Sequence, residues 1–396
     1  MSNRIQSLDS LRGIAAFVVI IFHVLLSFSL FYKADKNFEY GNVIAKIFNE
    51  TPLHMIWGGN EAVLLFFVLS GFVLAIPFQI GKQGSYKNFI IKRFVRIYIP
   101  YIAVMTLSVV LMVSLYEYKD ATGLSEAYEN RWNHDVTWRA ILAYIFMINY
   151  DTANVNGVVW TLYHEMRVSL IFPLLMVPLL KLKPIKALMV LSAGVIFSLI
   201  ITISPFLLLG RSDLTLIIRD FGFTAYYSVF FILGAFISTY RRVIVEWTSA
   251  QSEKFRLLMF VVSIFLINGK WVVNIIPIKS TLLLYSPLSG IGIGILFIVV
   301  LSSPLANRLL TVKPLLFLGK ISYSLYLTHV LVIMLTTIAF EQIGHVMWAF
   351  ILSPIASIPV AYLAFRAFEL PSMQLASRYS RKVKERKNAL EISKVL

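Results

Sequence analysis

Apolar residues fill ten runs of spanning length, at about 10–32, 61–80, 97–116, 158–180, 187–209, 221–240, 256–276, 282–302, 320–340 and 347–368. A helix needs about 20 such residues to cross the hydrocarbon core of a bilayer. The polar stretches between the runs are short. This pattern predicts an all-α fold, a polytopic integral membrane bundle of about ten transmembrane helices with both termini on one side. A shorter apolar piece at 140–150 falls below crossing length and reads as a re-entrant or interfacial helix. Pro173, Pro178, Pro354, Pro359 and the glycines 290, 292 and 294 interrupt several runs. Such breaks are tolerated where neighbouring helices or a cavity satisfy the freed backbone groups.

Ionisable residues inside these runs are the exceptions that call for chemistry, because each costs about 2.5–3.5 kcal/mol on insertion scales. The first run carries Arg12 and His23. Eleven residues make about three helical turns, so both lie on one face, about 16 Å apart along the axis. The fourth run opens with Trp160-Thr161-Leu162-Tyr163-His164-Glu165-Met166-Arg167, where Glu165 is placed to orient an imidazole or to act as acid or base. The ninth opens with Gly319-Lys320-Ile321-Ser322-Tyr323-Ser324-Leu325-Tyr326-Leu327-Thr328-His329, which brings His329 toward mid-membrane. Lys92, Arg93 and Arg96 form a basic stretch with Phe94 and Tyr98 that suits a phosphate-bearing donor. Plainer readings stand beside each. Arg12 also fits interfacial snorkelling, His23 and His329 fit interhelical packing, Glu165 fits a local cluster with His164 or Arg167, and the basic stretch fits membrane anchoring.

Composition supports the membrane class. Hydrophobic residues make up 58% of the 396 positions and charged residues only 14%. The net charge of +16 resides in clusters between the apolar runs, which argues against nucleic acid. With the N-terminus inside, inner segments hold 24 Lys and Arg and outer segments hold 10. The positive-inside rule therefore places both termini in the cytoplasm. The 117–139 segment becomes the largest outer loop, a candidate lid. Residues 1–376 read as one membrane domain and 377–396 as a basic cytoplasmic tail facing lipid headgroups. The first run lacks a small-x-small cleavage site and reads as a retained span. Cysteine is absent, which removes thiolate nucleophiles and zinc–thiolate sites. No Walker A, Gly-x-Gly-x-x-Gly, His-Glu-x-x-His or Gly-x-Ser-x-Gly sequence occurs, and no metal site is expected.

Five motifs in order resemble the membrane acyltransferase 3 family, whose members O-acylate extracytoplasmic sugars in bacteria. They are Leu8-Asp9-Ser10-Leu11-Arg12-Gly13-Ile14-Ala15-Ala16 with His23, Leu65-Phe66-Phe67-Val68-Leu69-Ser70-Gly71-Phe72, Arg93-Phe94-Val95-Arg96-Ile97 with Pro100, Trp160 to Glu165, and Ile321 to His329. Phe368-Glu369-Leu370-Pro371 closes the series. The resemblance implies a catalytic His23, as general base or transient acyl carrier, and an acceptor-side Glu165. It implies that Arg12, Arg93 and Arg96 hold an acyl donor, commonly acetyl-CoA from the cytoplasm, with no bound cofactor. Ser70, His164, Tyr326 and His329 are further candidates. Two departures stand out: Leu64 occupies a place that is often acidic in the family, with Glu61 nearby. Thr161, Tyr163 and His164 replace the commoner Trp-Ser-Leu-Ser-Val-Glu form.

The expected activity is transfer of an acetyl or other short acyl group to a hydroxyl of a surface glycan or glycolipid, in the bacterial inner membrane. The rival is a proton-coupled transporter or flippase of a lipid-linked sugar, since intramembrane His, Glu and Arg suit proton coupling too. A structural scaffold fits poorly with so many ionisable residues inside apolar runs.

Overall fold

A computed structural model describes residues 5–82, 84–119, 124–208, 213–269 and 282–393, all as helices, turns and loops. The first half comprises α1 (Gln6–Leu26), α2 (Ser29–Asn37), α3 (Val43–Glu50), α4 (Gly59–Gln79), α5 (Tyr86–Leu115), α6 (Glu126–Glu129), α7 (Trp138–Ile145), α8 (Thr152–Asn156) and α9 (Trp160–Lys181). The second comprises α10 (Pro184–Leu208), α11 (Asp213–Ser249), α12 (Glu253–Ile267), α13 (Leu282–Ser302), α14 (Pro304–Leu310), α15 (Lys313–Glu341), α16 (Val346–Ala364) and α17 (Leu370–Ser393). Among the described residues, nine helical stretches are long and apolar enough to cross a membrane. The chain is therefore a polytopic helical membrane bundle.

The seventh predicted run is where helix and hydropathy part. α12 has 15 residues and stops at Ile267, giving a rod of about 22 Å against a core of about 30 Å. The part of that run beyond residue 269 lies outside the described residues. The short piece at 140–150 overlaps α7, eight residues long, whose first turn is capped by Thr137 Oγ1 accepting from the Ala140 amide. Trp138 and Phe146 at its two ends are exposed. The boundary drawn at residue 376 falls within α17.

α1 packs against α4 and α15, while α4 packs on α11 and α15 on α16. Two crossings depend on glycine. A Cβ on Gly13 of α1 would lie 2.4 Å from the Gly319 nitrogen of α15, and one on Gly71 of α4 would lie 1.9 Å from the Phe231 carbonyl oxygen of α11. Backbones meet at both places, as small residues allow in membrane bundles. The first crossing brings the polar face of α1 against the motif-rich start of α15. α16 passes into α17 through a π-helical turn, Phe365–Glu369, which places Glu369 inside the bundle. Such turns often mark functional sites.

Candidate active site

α1 and α15 run side by side in the same direction, and Arg12 and His23 of α1 both face α15. Arg12 Nε donates to Ser322 Oγ at 2.9 Å, and Nη2 donates to the Gly319 carbonyl at 3.3 Å and to Asp9 Oδ1 at 3.2 Å. Higher on the same face, the His23 and His329 rings lie 5.2 Å apart. The base of the bundle is taken as the end where α1 begins.

A cavity of about 640 Å³ opens at the base, lined by Gln6, Asp9, Arg12, Arg96, Lys320 and Glu369 among others. A second, of about 110 Å³, continues upward and shares Arg12, Arg96 and Glu369 with the first. Its walls include Ser70 and Arg93, then Thr161, Glu165 and Tyr326. Arg93 Nη2 donates to Glu165 Oε1 at 3.0 Å and to Ser169 Oγ at 3.0 Å, and Ser70 Oγ donates to Glu165 Oε1 at 3.2 Å. Glu369 Oε2 accepts from the Ser324 hydroxyl at 2.7 Å and from the Ser324 amide at 3.2 Å. Arg96 is exposed and has no side-chain partner among the described residues. The result is a cation-rich passage whose carboxylates are held by hydrogen bonds.

Tyr326 joins this passage to the histidines. Its hydroxyl donates to the Val158 carbonyl at 3.0 Å and lies 2.8 Å from Thr161 Oγ1, while its ring is 5.8 Å from that of His329. Phe66 packs edge-on against it. Tyr326 thus lines the cavity on one side and touches the histidine layer on the other.

The histidine layer has one further member, Arg131, from the loop after α6. Its Nη2 lies 2.9 Å from His23 Nδ1. Arg131 is 5% exposed, and no carboxylate lies within ion-pairing distance among the described residues. Burial pushes its guanidinium down to about 10, so it stays charged at neutral pH. His329 Nδ1 lies 3.2 Å from the Leu325 carbonyl, which fixes a proton on that nitrogen and leaves Nε2 as the lone-pair side. Among the described residues that Nε2 has no partner.

The geometry rearranges the sequence expectations. Arg12, Ser70, Arg93, Arg96, Glu165 and Tyr326 converge on one cavity wall. His23 and His329 pair above it. The expectation that Glu165 orients His23 is not met. α9 descends from the top of the bundle, and Glu165, five residues along it, is taken up by Arg93 and Ser70 instead. The carboxylate expected on the acceptor side and an arginine expected on the donor side form one ion pair. His164 points the other way, with Nδ1 2.9 Å from Thr224 Oγ1 and Nε2 3.8 Å from Asp220 Oδ1. Arg167 joins that cluster through Asp220. Glu61 faces His54 at 3.4 Å. Sequence reasoning assigned no role to Arg131 or Glu369. Arg131 carried no signal beyond its place in the large polar loop; Glu369 stood in the closing motif. No cluster of three or more His, Asp or Glu able to hold a metal occurs among the described residues.

Comparison with known proteins gives one match. No curated protein and no solved structure matches the chain. The family model described as an acyltransferase domain, acyltransferase 3, matches residues 5–366 and so takes in the histidine layer and all of the cavity lining except Glu369, Leu370 and Met373. The chain belongs to the acyltransferase 3 family and is an acyltransferase of the O-acetyltransferase-like membrane type.

Proposed function

We propose that this enzyme moves an acetyl or similar short acyl group from a coenzyme A thioester to a hydroxyl of a surface glycan or glycolipid. The observation that carries this reading is a pair of adjoining cavities that share Arg12, Arg96 and Glu369 and reach from Lys320 at the base to Tyr326, whose ring lies 5.8 Å from that of His329. Guanidinium groups match phosphate oxygens in geometry and charge. Arg96, which makes no side-chain hydrogen bond or ion pair among the described residues and is shared by both cavities, is best placed to take a donor phosphate. Arg12 assists from α1. Arg93 holds Glu165 and thereby shapes the upper cavity. The base then faces the cytoplasm, in agreement with the Lys and Arg bias, and the histidine layer lies toward the outer face of a bacterial inner membrane.

His23 is the proton-handling residue in this reading. It takes the proton of the acceptor hydroxyl as the oxygen attacks the thioester carbonyl, a role in which imidazole is effective near neutral pH. His329 supports it from α15. Enzyme chemistry is favoured over sugar transport because the match is to an acyltransferase domain.

The test pairs cells with purified protein. Mass spectrometry of surface glycans should show O-acyl groups that disappear in cells carrying His23→Ala, while the variant still inserts in the membrane. Purified enzyme should release free thiol from acetyl-CoA. A thiol reagent reads this without protein background, since the chain has no cysteine. Full acylation by His23→Ala would sink the assignment of His23. Thiol release that stays at the uncatalysed rate with every glycan acceptor tried would sink the donor.

A further inference from the structure

The contact between Arg131 and His23 has a chemical consequence for the resting enzyme. A guanidinium has only N–H donors, so Nδ1 of His23 must be the acceptor of this 2.9 Å bond. The neutral ring therefore carries its proton on Nε2, and its single lone pair points at Arg131. A histidine in that state has no free lone pair with which to take a hydroxyl proton or an acyl group.

The loop around Arg131 is braced on every side. The Ser125 amide donates to the Ser27 carbonyl at the end of α1 at 2.9 Å, and its hydroxyl donates to the Leu26 carbonyl. Lys119 Nζ donates to the carbonyls of Tyr128, Glu129 and Arg131 itself. Trp132 donates through its amide to the Asn154 carbonyl at 2.8 Å and through Nε1 to the Val155 carbonyl at 3.1 Å. The Trp132 backbone is held at φ 50, a left-handed conformation that a tryptophan rarely adopts. So many restraints fix the backbone and leave only the side chain to move. Its second terminal nitrogen, Nη1, is buried without a hydrogen-bond partner among the described residues. An unpaired buried donor on a cation costs free energy, and a catalytic role is one of the reasons such an atom is kept.

We propose that Arg131 masks His23 in the resting enzyme and shifts its guanidinium from Nδ1 to the thioester carbonyl oxygen when the donor arrives. The inference rests on the reading of an acyl-CoA donor approaching His23. One side-chain movement frees the base and polarises the electrophile. The acceptor hydroxyl oxygen then bonds to the acyl carbon as its proton passes to the freed Nδ1. The carbonyl oxygen takes up negative charge beside Arg131. The carbonyl re-forms as the carbon–sulfur bond breaks, and the departing thiolate takes the proton from His23. Charge built up at the carbonyl oxygen meets a cation in a water-poor site, where such stabilisation is strongest. Among the described residues no carboxylate pairs with this cation at rest, which fits a group awaiting a negative oxygen.

The experiment compares two unreactive donor analogues on the full-length enzyme: S-acetonyl-CoA, which carries a ketone, and S-propyl-CoA, its equal in size without the oxygen. Carbethoxylation of His23 by diethyl pyrocarbonate, followed by peptide mass spectrometry, reports whether the lone pair is free. We expect slow modification of the resting enzyme, no acceleration with S-propyl-CoA, and about tenfold acceleration with S-acetonyl-CoA, the effect of losing one charged hydrogen bond. In Arg131→Met, His23 should react at the fast rate without any analogue, while turnover falls about 100-fold at unchanged KM for acetyl-CoA. Arg131→Lys should restore part of that turnover. Equal rates with the two analogues, or full turnover in Arg131→Met, would overturn the masking role. If Arg131→Met does not fold, the wild-type comparison still decides. A failure of both analogues to slow thiol release strikes the donor reading itself, and masking falls with it.

Discussion

The base cavity and the histidine layer treat positive charge in opposite ways. At the base, Arg12 has Asp9 at 3.2 Å, and in the cavity just above it Arg93 has Glu165 at 3.0 Å, each with further hydroxyl or carbonyl acceptors. In the histidine layer, Arg131 meets an imidazole lone pair and, among the described residues, no carboxylate. Paired charges in a bundle are part of its framework, since removing either partner strands the other. An uncompensated buried cation weakens the fold and persists where a substrate supplies the missing negative charge. The difference separates residues that shape the passage from a residue held in readiness for chemistry.

Substitutions in the two regions should therefore move stability in different directions, and this is the largest effect expected. Glu165→Gln strands the Arg93 guanidinium and should cost about 1–3 kcal/mol, less than the about 3–5 kcal/mol of a fully buried pair. The discount reflects side chains that remain 14% and 21% exposed. Arg131→Met removes a buried cation and one hydrogen bond together, so its thermal midpoint in detergent should hold or rise even as turnover collapses. A fall in Arg131→Met as deep as that in Glu165→Gln would erase the contrast. Arg131 would then be another framework residue.

Legibility in the sequence followed the same division. Arg12, His23, His329 and Glu165 were visible because an ionisable residue inside an apolar run is costly and therefore conspicuous. Arg93 stood out through its basic, aromatic setting. Arg131 lies in a polar loop, where a charged residue is ordinary. Its burial arises from Lys119, Ser125 and Trp132, which tie the loop to α1 and α8, and no local pattern encodes those contacts. The pairing of Glu165 with Arg93 was hidden for a related reason. Hydropathy locates helices along the chain but not which helix stands beside which, so nothing local pairs Glu165 on α9 with Arg93 on α5. The run at 256–276 shows a further limit: apolar residues continue past Ile267, yet α12 ends there.

A smaller effect sharpens the base half of the comparison. Arg96 is exposed, has no side-chain partner among the described residues, and lines both cavities. Arg96→Ala should raise the KM for acetyl-CoA about tenfold, the loss of one charge-assisted hydrogen bond, with turnover at saturation and thermal midpoint unchanged. Arg12→Ala should add a stability loss, because Asp9 and Ser322 each lose one hydrogen bond. Equal KM effects with equal stability losses in the two variants would mean that Arg96 is no more available to the donor than Arg12.

The smallest effect tests the brace behind Arg131. Burial, with repulsion from Arg131 next, pushes the Lys119 ammonium from its ordinary 10.5 down to about 8, against the opposing pull of Glu341 and Glu129. The folded protein therefore binds this proton less tightly than the unfolded chain does. By linkage, stability rises with pH across the window from about 8 to 10.5, and the contribution of Lys119 is least favourable below it. Thermal midpoints of the wild type relative to Lys119→Met should climb through that window, whereas a flat difference would mean that Lys119 titrates as an ordinary surface lysine. In Arg131→Met the repulsion is gone and Lys119 moves back toward 10.5, so the window should narrow from its lower edge. A window left unchanged in Arg131→Met would mean that the two cations do not sense one another, and the charge imbalance of the histidine layer would end at Arg131 itself.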